Sequence, residues 1–110
     1  MGFTRSGVYV LLFTAVAAAA GQQETAFEWN ERGVAAGMRA DFGEAEQDYR
    51  QALGLWRSLG PAYAGHTATT LYNLGQTFVG EGRWRESIPI FQEALDLDRR
   101  SFGVRQNVIA

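Results

Sequence analysis

The feature of this sequence that most constrains its fold is an internal repeat, because one pattern of residues occurs twice at an offset of 42 positions. The matching segments are 29–33 with 71–75, 42–45 with 84–87, and 49–53 with 91–95. Aromatic, small and leucine positions keep the same register in both copies. Self-similarity at a fixed period of this length is typical of chains built from stacked copies of one small unit.

Each copy of the pattern is predicted to form two helices. In four successive stretches, large apolar residues recur with alanine and glycine at three- and four-residue steps, which places them on one helical face. The expected core positions are Trp29, Gly33, Ala36, Ala40, Leu71, Leu74, Gly75 and Phe78 on the first helices, and Phe42, Ala45, Tyr49, Ala52, Leu53, Trp56, Trp84, Ile88, Phe91, Ala94 and Leu95 on the second helices. The pattern therefore predicts an all-α fold, in which antiparallel helix-turn-helix repeats stack as a short α-solenoid.

Small residues are expected to control how closely the two helices of a copy approach. Gly33 and Gly75 occupy the same place in the two first helices. Without a side chain at these positions, the second helix can come closer than the usual interaxial distance. We expect Ala45, Ala52 and Ala94 to face the two glycines across each helix pair.

Turn residues mark the predicted ends of the helices. Asp41 followed three residues later by Glu44 is a capping-box pattern for the start of a helix. Gly60 can adopt a left-handed conformation, and Pro61 cannot continue the preceding helix. The repeats are accordingly placed at residues 26–59 and 68–101, with residues 102–110 as a linker or the start of a truncated third repeat.

These residues resemble the tetratricopeptide repeat. The core motif of that family is matched best by Leu71, Leu74, Gly75, Phe78, Phe91, Ala94 and Leu95. The usual period of the family is 34 residues, and a period of 42 resembles the longer variety found in kinesin light chains and in many bacterial proteins. That variety has a characteristic loop and helix start, which appear here as Leu59-Gly60-Pro61 and Thr70-Leu71-Tyr72-Asn73-Leu74. The resemblance covers residues 26–103 and implies a module that binds other proteins.

The resemblance also indicates where a partner would bind. In arrays of this kind the first helix of each pair lines the concave side. The residues on those helices that lie off the packing face are Phe27, Asn30, Val34, Met38, Tyr72, Asn73, Gln76 and Val79. We expect them to bind a peptide or helix of a partner protein. Alternatively, they are ordinary flanking residues, or the chain is the N-terminal adapter arm of a longer exported enzyme or a self-assembling structural protein.

Composition argues against several other functions. The formal net charge is -2, which does not indicate a nucleic-acid-binding surface. The chain has no cysteine, so disulfides, thiolate metal sites and cysteine nucleophiles are excluded. His66 is the only histidine, and no carboxylate lies within one turn of it in the sequence. A solvent-facing loop residue is the simpler interpretation of His66, and we expect no enzymatic activity, cofactor or bound metal.

The first 21 residues have the pattern of an export signal. Arg5 precedes an apolar run from Val8 to Ala20, and small residues at 18–21 precede a polar stretch. A basic start, a short apolar centre and small residues at the cleavage position are the parts of a secretory signal. The run is shorter than the ~20 residues that span a bilayer. We therefore expect a periplasmic or secreted protein, with an uncleaved membrane anchor as the alternative.

The last predicted helix carries a second apolar stripe. Ile90 and Leu97 lie apart from the face that is expected to carry Trp84, Phe91 and Leu95. Stacked repeats bury such stripes against a neighbour, and about three copies are usually needed for stability. We therefore expect self-association through Ile90 and Leu97, or a low melting temperature.

Overall fold

The computed structural model describes the backbone of residues 5–109 and the side chains of residues 8–101. Within these residues the chain forms four α-helices, one short 3-10 helix and no strand. The elements are α1 (Arg5–Met38), α2 (Phe42–Leu59), the 3-10 helix (Pro61–Tyr63), α3 (Ala64–Gly80) and α4 (Trp84–Ile109). Helix α1 packs against α2, α3 packs against α4, and α2 packs against α3. The predicted all-α fold of paired, stacked helices is confirmed.

The ends of α2 follow the turn chemistry of the sequence. The Asp41 side chain accepts a hydrogen bond from the backbone N–H of Glu44 at 3.4 Å and so caps the first turn. Gly60 ends the helix at a φ of 94°, a value that suits glycine. Pro61 then begins the 3-10 helix, a position at which the backbone N–H that proline lacks has no partner within the helix.

The turns inside the two helix pairs are equivalent. Ala40 and Gly82, which are 42 residues apart, both have left-handed backbones with φ values of 58° and 77°. In each turn the next residue donates its backbone N–H to a carbonyl five residues earlier, from Asp41 to Ala36 at 2.9 Å and from Arg83 to Phe78 at 2.8 Å. The repeat in the sequence is therefore also a repeat of backbone geometry.

Aromatic rings lie against glycines inside each pair. A Cβ atom at Gly33 would lie 2.7 Å from the ring of Tyr49, and one at Gly75 would lie 2.6 Å from the ring of Phe91. Burial raises the pKa of the Tyr49 hydroxyl, and the charges of Glu31 and Asp48 raise it further. The close approach predicted at the two glycines is confirmed, and the atoms nearest to them belong to these rings. That Ala45, Ala52 and Ala94 face the glycines stays a prediction. The rings face the glycines because the glycine gap accommodates the thickness of a flat side chain.

Much of the predicted core is buried as expected. The buried apolar residues are Ala26, Ala36, Ala45, Tyr49, Ala52, Leu53, Trp56, Ala68, Leu71, Leu74, Phe78 and Ala94. One buried carboxylate lies beside this core, because Asp48 is 4 % exposed and its Oδ2 has no hydrogen-bond partner among the described residues. Its counterpart in the second copy is Ile90.

The predicted core face of α4 is partly wrong. Trp84, Ile88 and Leu95 are exposed by 63, 55 and 49 % respectively. Ile90 and Leu97, which were expected to form a free stripe, instead pack against the core. Helical periodicity places residues on faces, but it does not decide which of two apolar faces meets the neighbouring helix. Ile90 and Leu97 are half-buried, so less of their surface is exposed than expected, and self-association through them stays a prediction.

The two ends of the described region are helical beyond the repeats. Helix α1 includes most of the predicted export signal without a break, while residues 1–4 lie outside the described residues. Helix α4 continues through 102–109, where a linker or a third repeat was expected, and Ala110 lies outside the described residues. Among the described residues, no helix combines the length and apolar character that crossing a membrane requires.

Candidate functional site

The eight predicted partner-binding residues lie on α1 and α3. On α1, Phe27, Val34 and Met38 are exposed. They are seven and eleven residues apart, which is close to two and three whole turns, so they form one stripe along the helix. Met38 is 84 % exposed, the largest exposed fraction among the exposed large apolar side chains. This stripe, Phe27–Val34–Met38, is called the α1 stripe below.

The equivalent surface of α3 is more polar. Tyr72, Gln76 and Val79 lie four and seven residues apart and share one face of α3. The Tyr72 ring is 52 % exposed and rests at 53° against the Phe91 ring, with centroids 5.6 Å apart. Gln76 is exposed and Val79 is half-buried. These three residues are called the α3 stripe below.

A hydrogen bond joins the two helices that carry the stripes. The Thr70 hydroxyl of α3 donates to the Asn30 side-chain oxygen of α1 at 3.4 Å. Asn30 is half-buried, so this amide is partly used within the fold. Asn73 is half-buried as well, and its backbone carbonyl accepts the Thr77 hydroxyl at 2.9 Å. Apart from the half-buried Val79, the residues of the two stripes are therefore more exposed than the two asparagines.

Phe27 belongs to a cluster of rings that joins the two helix pairs. Its ring meets the edges of Trp56 and His66 at centroid distances of 4.9 and 5.0 Å. His66 stacks on Trp56 at 4.5 Å with an interplanar angle of 16°. Tyr63 stacks on the same indole ring at 5.8 Å. Sequence reasoning missed this cluster, because residues from four separate elements form it and no spacing in the chain connects them.

The expectation for His66 was therefore incomplete. It lies in the first turn of α3 and remains exposed, but one face of its imidazole covers Trp56. That contact is a packing contact, and it brings no carboxylate to the imidazole. Among the described residues, no group of three or more histidine, cysteine, aspartate or glutamate side chains is arranged to hold a metal ion.

Charged residues join the two helix pairs at the other end of α3. The Arg83 guanidinium donates to Glu46 of α2 at 2.8 Å and to Glu81 at 3.4 Å, and it also binds Glu86. It lies 4.3 Å from the centroid of the Phe78 ring, within the range of a cation–π contact. The hydrogen bonds that Arg83 donates to Glu86 and then to Glu46 raise the pKa of Arg83, and accepting the bond from Arg83 lowers the pKa of Glu86.

The geometry therefore presents two exposed stripes on neighbouring helices, held in place by the ring cluster and by Arg83. Exposed apolar side chains on adjacent helices, with amides between them, can pack and hydrogen-bond to a polypeptide.

A comparison with known families gives one match. The model of the family described as Tetratricopeptide repeat matches residues 28–100, which include most of both predicted repeats. Searches of curated proteins and of solved structures found no match.

Proposed function

Because this chain belongs to the tetratricopeptide-repeat family, whose repeats generally mediate protein–protein interactions and are typically non-catalytic, we propose that it binds a peptide or helix of a partner protein across α1 and α3. The contact residues are those of the α1 stripe and the α3 stripe. Asn30 and Asn73 lie beside them and supply amide groups at the edges. The partner lies across both helices, because either stripe alone is too narrow for a stable interface.

The observation that supports this proposal best is the exposure of Val34 and Met38. Neither residue packs in the described core, and both face the same side of α1. Methionine is common at binding surfaces, because its unbranched and polarisable side chain adapts to different partners. Tyr72 adds a ring with a polar end, which is also typical of interface contacts. An extended or helical segment could pack on these side chains and hydrogen-bond to Gln76.

The proposal is tested by selecting peptides against the intact chain and measuring their affinity for variants. We expect Val34→Asp combined with Tyr72→Asp to weaken binding at least tenfold, because both changes put a charge in an apolar contact. Gln47→Asp adds a charge at an exposed site of α2 and is the matched control. Circular dichroism should show the same helix content for all three proteins. Equal affinity of the double variant and the wild type would place the binding site elsewhere.

We also propose that residues 1–21 direct export and are then removed. The large apolar residues from Val8 to Val16 are exposed on α1, and the first buried residue of the chain described by the structure is Ala26. This part of α1 therefore contributes nothing to the described core. Mass spectrometry of protein recovered outside the cytoplasm should find a new N-terminus at Gly21 or Gln22. An intact Met1 in the membrane fraction would indicate an anchor instead.

A further inference from the structure

The two helix pairs differ in what covers their second helix, although their sequences are related by the same offset of 42. Helix α2 is covered by α3 and by the turn that follows it. The Phe42 ring lies on Gly80, where an added Cβ would be 2.7 Å away. One turn further along α2, Glu46 binds Arg83 at 2.8 Å. These contacts form one end of the interface between the pairs.

The same face of α2 continues the interface toward its C-terminal end. Leu53 is buried in the core cluster that includes Leu71 and Leu74 of α3. Trp56 is 1 % exposed and is stacked under His66 at the start of α3. Together with Phe42 and Glu46, these residues define the α2 face that receives a helix.

The matching face of α4 carries Trp84, Ile88, Leu95 and Asp98, each 42 residues after its α2 counterpart. The first three are large apolar side chains that are about half or more exposed, and Asp98 is exposed. No element among the described residues covers them. This surface, Trp84–Ile88–Leu95–Asp98, is called the α4 outer face.

A groove beside the α4 outer face completes the match. Tyr72 and Ala68 of α3 line it on one side, and Phe91, Leu95 and Asp98 of α4 line it on the other. In the first pair, the corresponding space between α1 and α2 receives the start of α3, where Thr70 bonds Asn30 and His66 contacts Phe27 and Trp56. The groove between α3 and α4 is therefore formed by the same repeat positions as the groove between α1 and α2, which the start of α3 fills.

We propose that the α4 outer face binds an amphipathic helix of a partner protein, with the apolar pattern of α3. That pattern is leucine, a second leucine three residues later, glycine directly after it, and phenylalanine three residues further on, as in Leu71, Leu74, Gly75 and Phe78. The two leucines of the partner helix would pack on Leu95. In the first interface, Leu71 and Leu74 share a buried core cluster with Leu53. Apart from Tyr72, which also lines the groove, the α4 outer face and its groove share no residue with the α1 and α3 stripes and form a second binding surface beyond the proposed function.

The negative charge of Asp98 at one end of the groove indicates which charge the partner helix carries there. Asp98 replaces Trp56, the residue that stacks under His66 in the first pair. A partner helix bound in the groove between α3 and α4 would have one residue at the position that His66 takes on α3. That residue would lie next to the Asp98 carboxylate. A lysine or arginine at that place would pair with Asp98, whereas a glutamate would be repelled. The partner helix therefore carries a basic residue five positions before its first leucine.

A second copy of this chain is a poor occupant of the same surface. Stacked head to tail, it would present α1 to the α4 outer face in the place that α3 takes on α2. In α1, Arg32 stands where α3 has Leu74, and Glu28 stands where α3 has Thr70. Both residues are exposed in the structure. Such a stack would set a charged guanidinium against Leu95, which favours a leucine-bearing helix from another protein.

The probe is a synthetic peptide with the sequence of residues 63–81 and His66→Lys, labelled with a dye and titrated with the full chain. We expect saturable one-to-one binding and at least a tenfold loss with Leu95→Asp or, separately, with the more exposed Ile88→Asp. Gln47→Asp at an exposed site of α2 is the control and should bind the peptide as the wild type does. Loss of binding in the control, or retention in both α4 variants, would overturn the proposal.

The charge prediction is tested with a second peptide, in which His66→Glu replaces His66→Lys. The wild-type chain should bind the lysine peptide at least threefold more tightly, and Asp98→Lys should reverse that order. An unchanged order would refute the seating of the helix beside Asp98. Sedimentation of the chain alone provides a further outcome, since a concentration-dependent dimer abolished by Leu95→Asp would show that a second copy is the occupant instead.

Discussion

Replacing Ala40 with glycine should stabilise this protein. Ala40 and Gly82 occupy the same position in two equivalent turns, and both have left-handed backbones, at φ values of 58° and 77°. Alanine is strained there, because its Cβ comes too close to the following carbonyl oxygen. Glycine has no Cβ, and the hydrogen bond from Asp41 to Ala36 that closes the turn does not depend on the side chain at position 40.

The size of the effect follows from two opposing terms. Relief of the left-handed strain is worth roughly 1–2 kcal/mol. Glycine also makes the unfolded chain more flexible, which costs about 0.5–1 kcal/mol of stability. With the middle value of each range, the net gain in the free energy of unfolding for Ala40→Gly is about 0.75 kcal/mol. Gly82→Ala makes the reverse change in the second turn and should lose a similar amount.

Thermal and urea unfolding followed by circular dichroism at 222 nm would measure both changes. For a domain of this size the expected shift in Tm is about 2–8 °C, upward for Ala40→Gly and downward for Gly82→Ala. Ala35→Gly is the control, because Ala35 is exposed inside α1 and glycine should destabilise the helix there by about 0.5–1 kcal/mol. If Ala40→Gly lowered the stability as Ala35→Gly does, the assignment of strain to Ala40 would be wrong.

Five further substitutions test the packing of the helices, each by its effect on the free energy of unfolding. Trp56→Ala should cost about 3–5 kcal/mol, because the ring is fully buried. Trp84→Ala should cost less than about 1 kcal/mol, because the Trp84 ring is exposed. Equal losses for the two variants in urea titrations would contradict the exposure of Trp84. Replacing the buried Asp48 with isoleucine, as in the second copy, should gain about 1–3 kcal/mol by removing an unpaired oxygen; a loss would mean that the carboxylate has a stabilising partner. Gly33→Ala should destabilise by about 1 kcal/mol or more, because the added Cβ overlaps the Tyr49 ring. Gly54→Ala, which meets open space inside α2, should instead stabilise by about 0.5–1 kcal/mol, and the same sign at both sites in thermal melts would contradict this difference.

The sequence predicted the parts of the fold that depend on local chemistry. The repeat offset located the two helix pairs, Asp41 located the start of α2, and the glycines at 33 and 75 indicated where the helices of a pair come close. These features depend on residues within one helix pair. Spacing along one helix or across one turn was therefore sufficient to find them.

The contacts between helix pairs could not be predicted in the same way. The α4 face that carries Trp84 follows the same periodicity as its α2 counterpart, but only the counterpart is covered by a following helix in the described structure. Likewise, His66 approaches Trp56 only after the 3-10 helix has turned the chain. The exposed stripes of the candidate site were predicted more reliably, since they needed only the helical period and the order of helices within a pair.

The joint between the two helix pairs has attachments of two different physical kinds at the two ends of α3. At one end, Trp56 and His66 are held by ring stacking, which salt hardly affects. At the other, Arg83 is held to Glu46 by charge, and dissolved ions weaken such pairs when they are partly exposed. Rising ionic strength should therefore weaken the ion pair at that end, while the Phe42 ring on Gly80 still joins the two helix pairs there. Added salt should then lower the stability of the joint at the Arg83 end of α3 and leave the ring cluster at the other end unchanged.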